Sequence, residues 1–256
     1  MPATAPVRPP HPPSALPVML EQAPDTPWLA EREIHVWLAD LLQVGECALS
    51  TVLSADERAR AARFPNANAG QLWARARGVL RALLALYIDA EPAAVRFTSG
   101  PHGKPGLLHA TAAPVRREER HPGEPAPIEF NVSHSAGLAL YGFSRQRVGV
   151  DIEAARSRRL DAPALAARAF GTRQSQRLGA RPPAERERAF MRLWTRYEAL
   201  QKSTGLGITV GDADTRQPNQ WVTDLDVGPG AVAAVAADHP PSGLRCWPVE
   251  PGTFGR

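Results

Sequence analysis

Proline placement sets the first limit on what this chain can fold into. Nine of its 26 prolines fall within residues 1–27. Each lacks a backbone donor and blocks a helix, so 1–27 reads as a disordered or extended Pro-rich tail. Ordered structure is expected from about Trp28. The 256 residues, 43% apolar, are enough for one domain or two small ones around a sizeable core. No run of about 18 apolar residues suggests a membrane span, and no basic start followed by an apolar stretch suggests a secretory signal. Two cysteines, Cys47 and Cys246, are too few for a disulfide scaffold or a cysteine zinc site. A cytoplasmic protein with no membrane contact is expected.

Beyond the tail, the patterning alternates. Residues 34–38 read as a strand by their β-branched and aromatic content. Ser54 and Glu57 form a capping box that opens a helix to about Phe64. Residues 72–88 carry an apolar stripe of near-helical period. Residues 99–106 read as a loop, and 110–127 as an exposed connection. Strands are predicted over 128–132, 138–143 and 148–153, helices over 163–179 and 184–203, and closing strands over 221–225, 231–237 and 244–249. The order strand, helices, strands thus occurs twice.

Three segments carry chemistry. In Asn131-Val132-Ser133-His134-Ser135 a strand runs into small polar residues around a histidine. In Gly149-Val150-Asp151-Ile152-Glu153, alternation sets the valines and Ile152 toward a core, and two carboxylates together on the other face. Like charges that close repel unless a cation lies between them, and a hard divalent ion with oxygen ligands answers that need. Trp194, Glu198 and Lys202 share one helix face at spacings of four. A solvated strand edge and a surface ion pair are the plainer readings of the last two.

The cations are uneven. Arginine numbers 28 and lysine two, Lys104 and Lys202. From Arg156 to Lys202 twelve cations face four anions. Such a stretch suits an acidic partner or is a solvated face. No zinc-finger spacing or aromatic interleaving points to nucleic acid.

Taken in order, Gly103-Lys104-Pro105, Asn131–Ser135, Gly149–Glu153 and Trp194–Ala199 resemble the 4′-phosphopantetheinyl transferase superfamily, most closely the longer, surfactin-synthetase-activating type. The resemblance spans roughly residues 28–250. It implies an α+β (α/β) fold of two similar lobes, 28–147 and 148–256, related by a pseudo-twofold axis with the active site at the lobe interface. It implies that coenzyme A gives its phosphopantetheine arm to a serine of an acyl or peptidyl carrier protein of fatty-acid, polyketide or nonribosomal-peptide synthesis, and the cation excess over 156–202 makes an acidic carrier the expected partner. Adenosine 3′,5′-bisphosphate would leave. Asp151, Glu153 and Glu198 would hold Mg²⁺. Glu198, Lys202 and His134 would be catalytic, and Lys104, Ser133, His134, Lys202, Arg58 and Arg60 would contact coenzyme A. A monomer is expected. The chain departs from the family pattern at Tyr197 and Glu57, where the family favours cations, and at Leu72. The alternatives are a non-catalytic binder of coenzyme A or carrier, and a Ser–His hydrolase built on Ser133 or Ser135 with His134.

Overall fold

The computed structural model describes residues 22–44, 51–100, 104–108, 126–155, 160–205 and 220–250. Most of the Pro-rich tail, most of the 110–127 connection, Cys47 and Gly103 lie outside the described residues. The architecture is mixed α and β, as expected. Among the described residues no helix is long and apolar enough to cross a membrane.

Strand β1 (Glu33–Asp40) is central to a four-stranded sheet. It pairs antiparallel with β5 (Leu138–Ser144), which pairs antiparallel with β4 (Glu129–Ser135). On its other side β1 runs parallel to β9 (Gly243–Pro248), so the last strand returns to the first sheet. A second sheet has the order β6 (Val148–Ala154), β8 (Ala231–Ala237), β7 (Trp221–Leu225), all antiparallel. Between β1 and β4 the chain forms helices α1 (Ala55–Ala62) and α2 (Ala67–Ile88) and the short hairpin β2 (Phe97–Ser99)–β3 (Pro105–Leu107). The loop expected over 99–106 is therefore part hairpin. Helices α3 (Ala162–Gly179) and α4 (Pro183–Thr204) follow β6.

These elements stack as helix, sheet, sheet, helices. Trp37, Phe130, Tyr141, Phe143 and Trp247 on one face of the first sheet pack against Val79, Leu83 and Leu84 of α2. Its other face contributes Ile34, Val36, Leu140 and Cys246 to a core shared with Val148, Val150, Ile152 and Val235 of the second sheet. Strand β1 is buried on both faces, which accounts for its nearly unbroken apolar run. The outer face of the second sheet carries α3 and α4. Helix α3 is broken at Gly171, whose φ of 77° is open to glycine but costly to other residues.

Several expectations hold locally. Ser54 and Glu57 form both bonds of the capping box on α1. Glu57 does more than cap: its carboxylate also takes Arg77 at 2.5 Å and Arg81 at 2.7 Å. Burial alone would raise this carboxyl, but Arg81, the Ser54 amide and Arg77 together hold it below the ordinary range. Arg81 also donates to the carbonyls of Pro92 and Val95, so α1, α2 and the entry to β2 are tied through one buried cluster.

A second buried polar chain runs beside β1. The Trp37 indole N–H donates to the Tyr87 hydroxyl at 2.9 Å, leaving that hydroxyl to donate to His35 Nδ1, also at 2.9 Å. The His35 proton therefore belongs on Nε2, which faces Glu33 at 3.5 Å. Burial pushes the His35 imidazole down to about 4, against the opposing pull of Glu33. An unfolded histidine titrates near 6.5. Between about pH 6.5 and about 4 the unfolded chain thus binds a proton that the native state refuses, and stability falls as pH falls. Denaturant melts across that window should show a steeper pH dependence for the wild type than for His35→Gln. Parallel curves would refute this account of the imidazole.

Candidate active site

The site is built where α4 crosses β6. Small residues bring the helix close: Ala199 meets Ala234 and Ala236 of β8 in one cluster. At Gly149 the approach is closer still. A Cβ there would lie 2.0 Å from the Ala199 carbonyl oxygen and 2.4 Å from the Ser203 amide. Only glycine lets the α4 backbone rest on the strand, and that contact carries Glu198 and Lys202 to Asp151, two residues further along β6.

Lys202 lies between the two carboxylates. Its Nζ is 2.5 Å from Asp151 Oδ1 and 3.4 Å from Glu198 Oε2, and it donates to Ser133 Oγ at 3.1 Å. The Ser133 hydroxyl in turn donates to Asp151 Oδ1 at 2.8 Å. Asp151 is 2% exposed, and its second oxygen, Oδ2, is buried with no hydrogen-bond partner among the described residues. Burial pushes the Asp151 carboxyl up to about 6. Lys202 and Ser133 pull against that shift, and Glu198 adds to it.

The strand expected to end at residue 132 runs on through Ser135, and its side chains join the two sheets. Asn131 Oδ1, Ser133 Oγ and Ser135 Oγ accept the amides of Val150, Ile152 and Ala154 at 2.9, 3.4 and 3.2 Å. Alternate residues of one edge strand thus satisfy alternate donors of another, in place of a backbone ladder. Ser135 Oγ also donates to Glu153 Oε2 at 3.1 Å. Sequence reasoning gave Asn131 no role and Ser135 a place only in the alternative hydrolase, although their period of two was visible. His134 falls on the opposite side of β4 and is exposed. Partial desolvation, then the Lys202 charge, disfavour its imidazolium, with a backbone hydrogen bond opposing. Both serine hydroxyls donate to carboxylates, so the serine–histidine pair of a hydrolase is not assembled here.

The remaining predicted residues have separate partners. Arg58 donates to the Leu53 carbonyl, and the exposed Arg60 lies over the Trp73 ring at 5.0 Å. Tyr197 is a core residue, edge-on to Phe170. The Lys104 ammonium donates to the carbonyls of Val148 and Ser203 at 3.2 and 3.4 Å. Among the described residues no three His, Cys, Asp or Glu side chains are gathered as a metal group. Lys202 lies between Asp151 and Glu198, while Glu153 turns to Ser135. The donor set nonetheless fits a hard cation: carboxylate oxygens, one of them buried without a partner. A cavity of about 500 Å³ opens beside it, lined by Glu153, Glu198, Arg168 and apolar side chains including Leu165, Phe190 and Trp194.

A sequence model of the 4′-phosphopantetheinyl transferase superfamily matches residues 147–245, the span from β6 into β9. The 4′-phosphopantetheinyl transferase HetI of Nostoc sp. is 35% identical over 184 residues, covering 70% of this chain and 72% of that protein. The 4′-phosphopantetheinyl transferase Sfp of Bacillus subtilis is 24% identical over 178 residues, covering 63% of this chain and 71% of its own. The 4′-phosphopantetheinyl transferase AcpT of Salmonella typhimurium is 33% identical over 124 residues, 46% of this chain and 64% of its own.

The Gly149 contact yields a direct test. Gly149→Ala should destabilise the fold by at least about 2 kcal/mol, because a methyl group would strike backbone that has no rotamer to yield. A chemical-denaturation midpoint equal to that of the wild type would show that α4 does not rest on the strand.

Proposed function

Because this chain belongs to the 4′-phosphopantetheinyl transferase superfamily, we propose that it moves the 4′-phosphopantetheine arm of coenzyme A onto a serine of an apo acyl or peptidyl carrier protein, as an enzyme of the longer, surfactin-synthetase-activating type. The observation that carries this reading is the junction of buried Asp151 with half-buried Glu198 and Lys202 beside a largely apolar cavity. Phosphoryl transfer needs little covalent help from a protein. It needs charge placed against a pyrophosphate and a base near the attacking hydroxyl.

In the proposed step, the carrier serine oxygen attacks the β-phosphorus. The bond from that phosphorus to the bridging oxygen breaks, and adenosine 3′,5′-bisphosphate leaves with the electron pair. Glu198 takes the serine proton. The Lys202 ammonium, one turn along α4, offsets charge on the pyrophosphate as the bond breaks. Asp151, Glu153 and Glu198 would hold Mg²⁺, which when bound neutralises pyrophosphate oxygens. Ser133 and Ser135 set the directions of Asp151 and Glu153. His134, Arg58 and Arg60 are proposed contacts of coenzyme A. The cavity is the proposed berth of the arm.

On this reading the chain is a cytoplasmic monomer of two similar lobes, 28–147 and 148–256, related by a pseudo-twofold axis with the site between them. The packing of helices on both outer sheet faces is consistent with that organisation.

Incubation with coenzyme A, Mg²⁺ and a panel of apo carriers should add one phosphopantetheine to at least one carrier by mass. Glu198→Gln should lower kcat on the order of a hundredfold or more while preserving the melting temperature within a few degrees. No mass gain on any carrier would refute the assignment. The excess of cations over residues 156–202 supports an acidic carrier partner. Transfer should then weaken with added salt through a rising KM for the carrier, read from initial rates at several ionic strengths.

A further inference from the structure

Lys104 is one of two lysines in a chain with 28 arginines. The resemblance places it against a coenzyme A phosphate. Its surroundings in the fold are different. The side chain leaves the β2–β3 hairpin and crosses to the second half of the molecule. There its ammonium bonds the carbonyl of Val148, the first residue of β6, and that of Ser203, in the last turn of α4. Its Cδ lies where a Cβ on Gly205 would stand 3.4 Å away, so the aliphatic stem passes against the residue that caps α4 in a left-handed conformation. The hairpin is closed behind it by the Gly100 amide on the Lys104 carbonyl at 2.8 Å.

Three physical points converge here. The last carbonyls of a helix have no partner within the helix, and the C-terminal end carries partial negative charge, so an ammonium there is stabilised twice. The two carbonyls belong to β6 and α4, the elements that carry Asp151 and Lys202. Lysine suits this position because a compact ammonium can serve two acceptors from separate elements, where a planar guanidinium would impose its own fork. Burial lowers the affinity of Lys104 for its proton, and Glu129 opposes that shift.

We infer that Lys104 is a positioning residue rather than a phosphate ligand: it clamps the β2–β3 hairpin onto the end of α4 and the start of β6, and so sets the distance between Lys202 and Asp151. It acts through the last turn of α4. The kinetic part of this inference rests on the proposed transferase activity; the structural part does not.

The experiment has two independent arms. In the first, the folded wild-type protein is treated with an amine-reactive acetylating reagent and each lysine is read by mass spectrometry. With only two lysines the readout is clean. Lys104 should react slowly, and at the same rate with or without adenosine 3′,5′-bisphosphate. Fast reaction in the free protein that the nucleotide suppresses would overturn the clamp. In the same arm, amide exchange over 199–205 should rise about tenfold or more in Lys104→Met; unchanged exchange would overturn it also. Should that variant not fold, the wild-type labelling still decides.

The second arm is kinetic. Lys104→Met should lower kcat on the order of tenfold to a hundredfold with little change in KM for coenzyme A. The loss should be the same when 3′-dephospho-coenzyme A is the donor. A raised KM with kcat preserved, or a defect that vanishes with the dephospho donor, would make Lys104 a phosphate ligand. Absence of transfer by the wild type would refute the proposed function and leave the labelling and exchange results standing.

Discussion

The backbone-on-backbone contact between α4 and β6 is the constraint on which the rest depends. Helices usually stand off a sheet by the length of their side chains. Here Gly149, Ala199, Ala234 and Ala236 remove those side chains, and the helix settles onto the strand. Lys202 and Asp151 are then close enough for an ion pair of 2.5 Å, which longer spacing would forbid. On β8 the two residues beneath α4 at this point, Ala234 and Ala236, are both small, while Val232 on the same face packs among the larger side chains of α3 and α4.

The second device is the row of polar side chains on β4. Two edge strands from different sheets meet without a backbone ladder, which would ordinarily leave β6 donors unsatisfied. Asn131, Ser133 and Ser135 accept those donors. The serines use their own protons to hold Asp151 and Glu153. Joining the halves and aiming the carboxylates are therefore one structural act. Buried polar groups of this kind are costly unless each is satisfied; at this site, among the described residues, Asp151 Oδ2 is left without a partner and marks where further charge is wanted.

Two of the three departures from the family pattern, Glu57 and Tyr197, have physical explanations within the fold. Glu57 gains two arginines and a capping amide and organises the α1–α2 corner, so its charge is internally balanced. Tyr197 fills the core between α3 and α4, in contact with Phe170 and Trp194, and leaves no room there for an exposed cation. Neither substitution disturbs the junction around Lys202.

Much of the fold was legible from local pattern. The strands β1, β5, β6 and β8, the capping box of α1 and both long helices of the second half follow from periodicity and caps, because each of those signals acts within a few residues. The hairpin β2–β3 was not legible, since three-residue strands carry too little pattern to stand out from a loop. The break at Gly171 was hidden by good helix formers on both sides. Within the site, alternation along β6 and the spacing of Glu198 and Lys202 placed the charged groups on the correct faces. The partners of Lys104 and Ser135 lay up to about a hundred residues away in sequence, and no local rule reports such pairings.

By itself, then, the sequence determined which faces carry charge and which carry the core, and through its ordered motifs the superfamily to which the chain belongs. Only the tertiary structure decided what each charge meets: Lys202 between two carboxylates, Lys104 on two carbonyls, Glu57 between two arginines. The reason is that periodicity is a property of one element and survives in isolation. An ion pair or a cap across elements exists only after packing has brought distant backbones together.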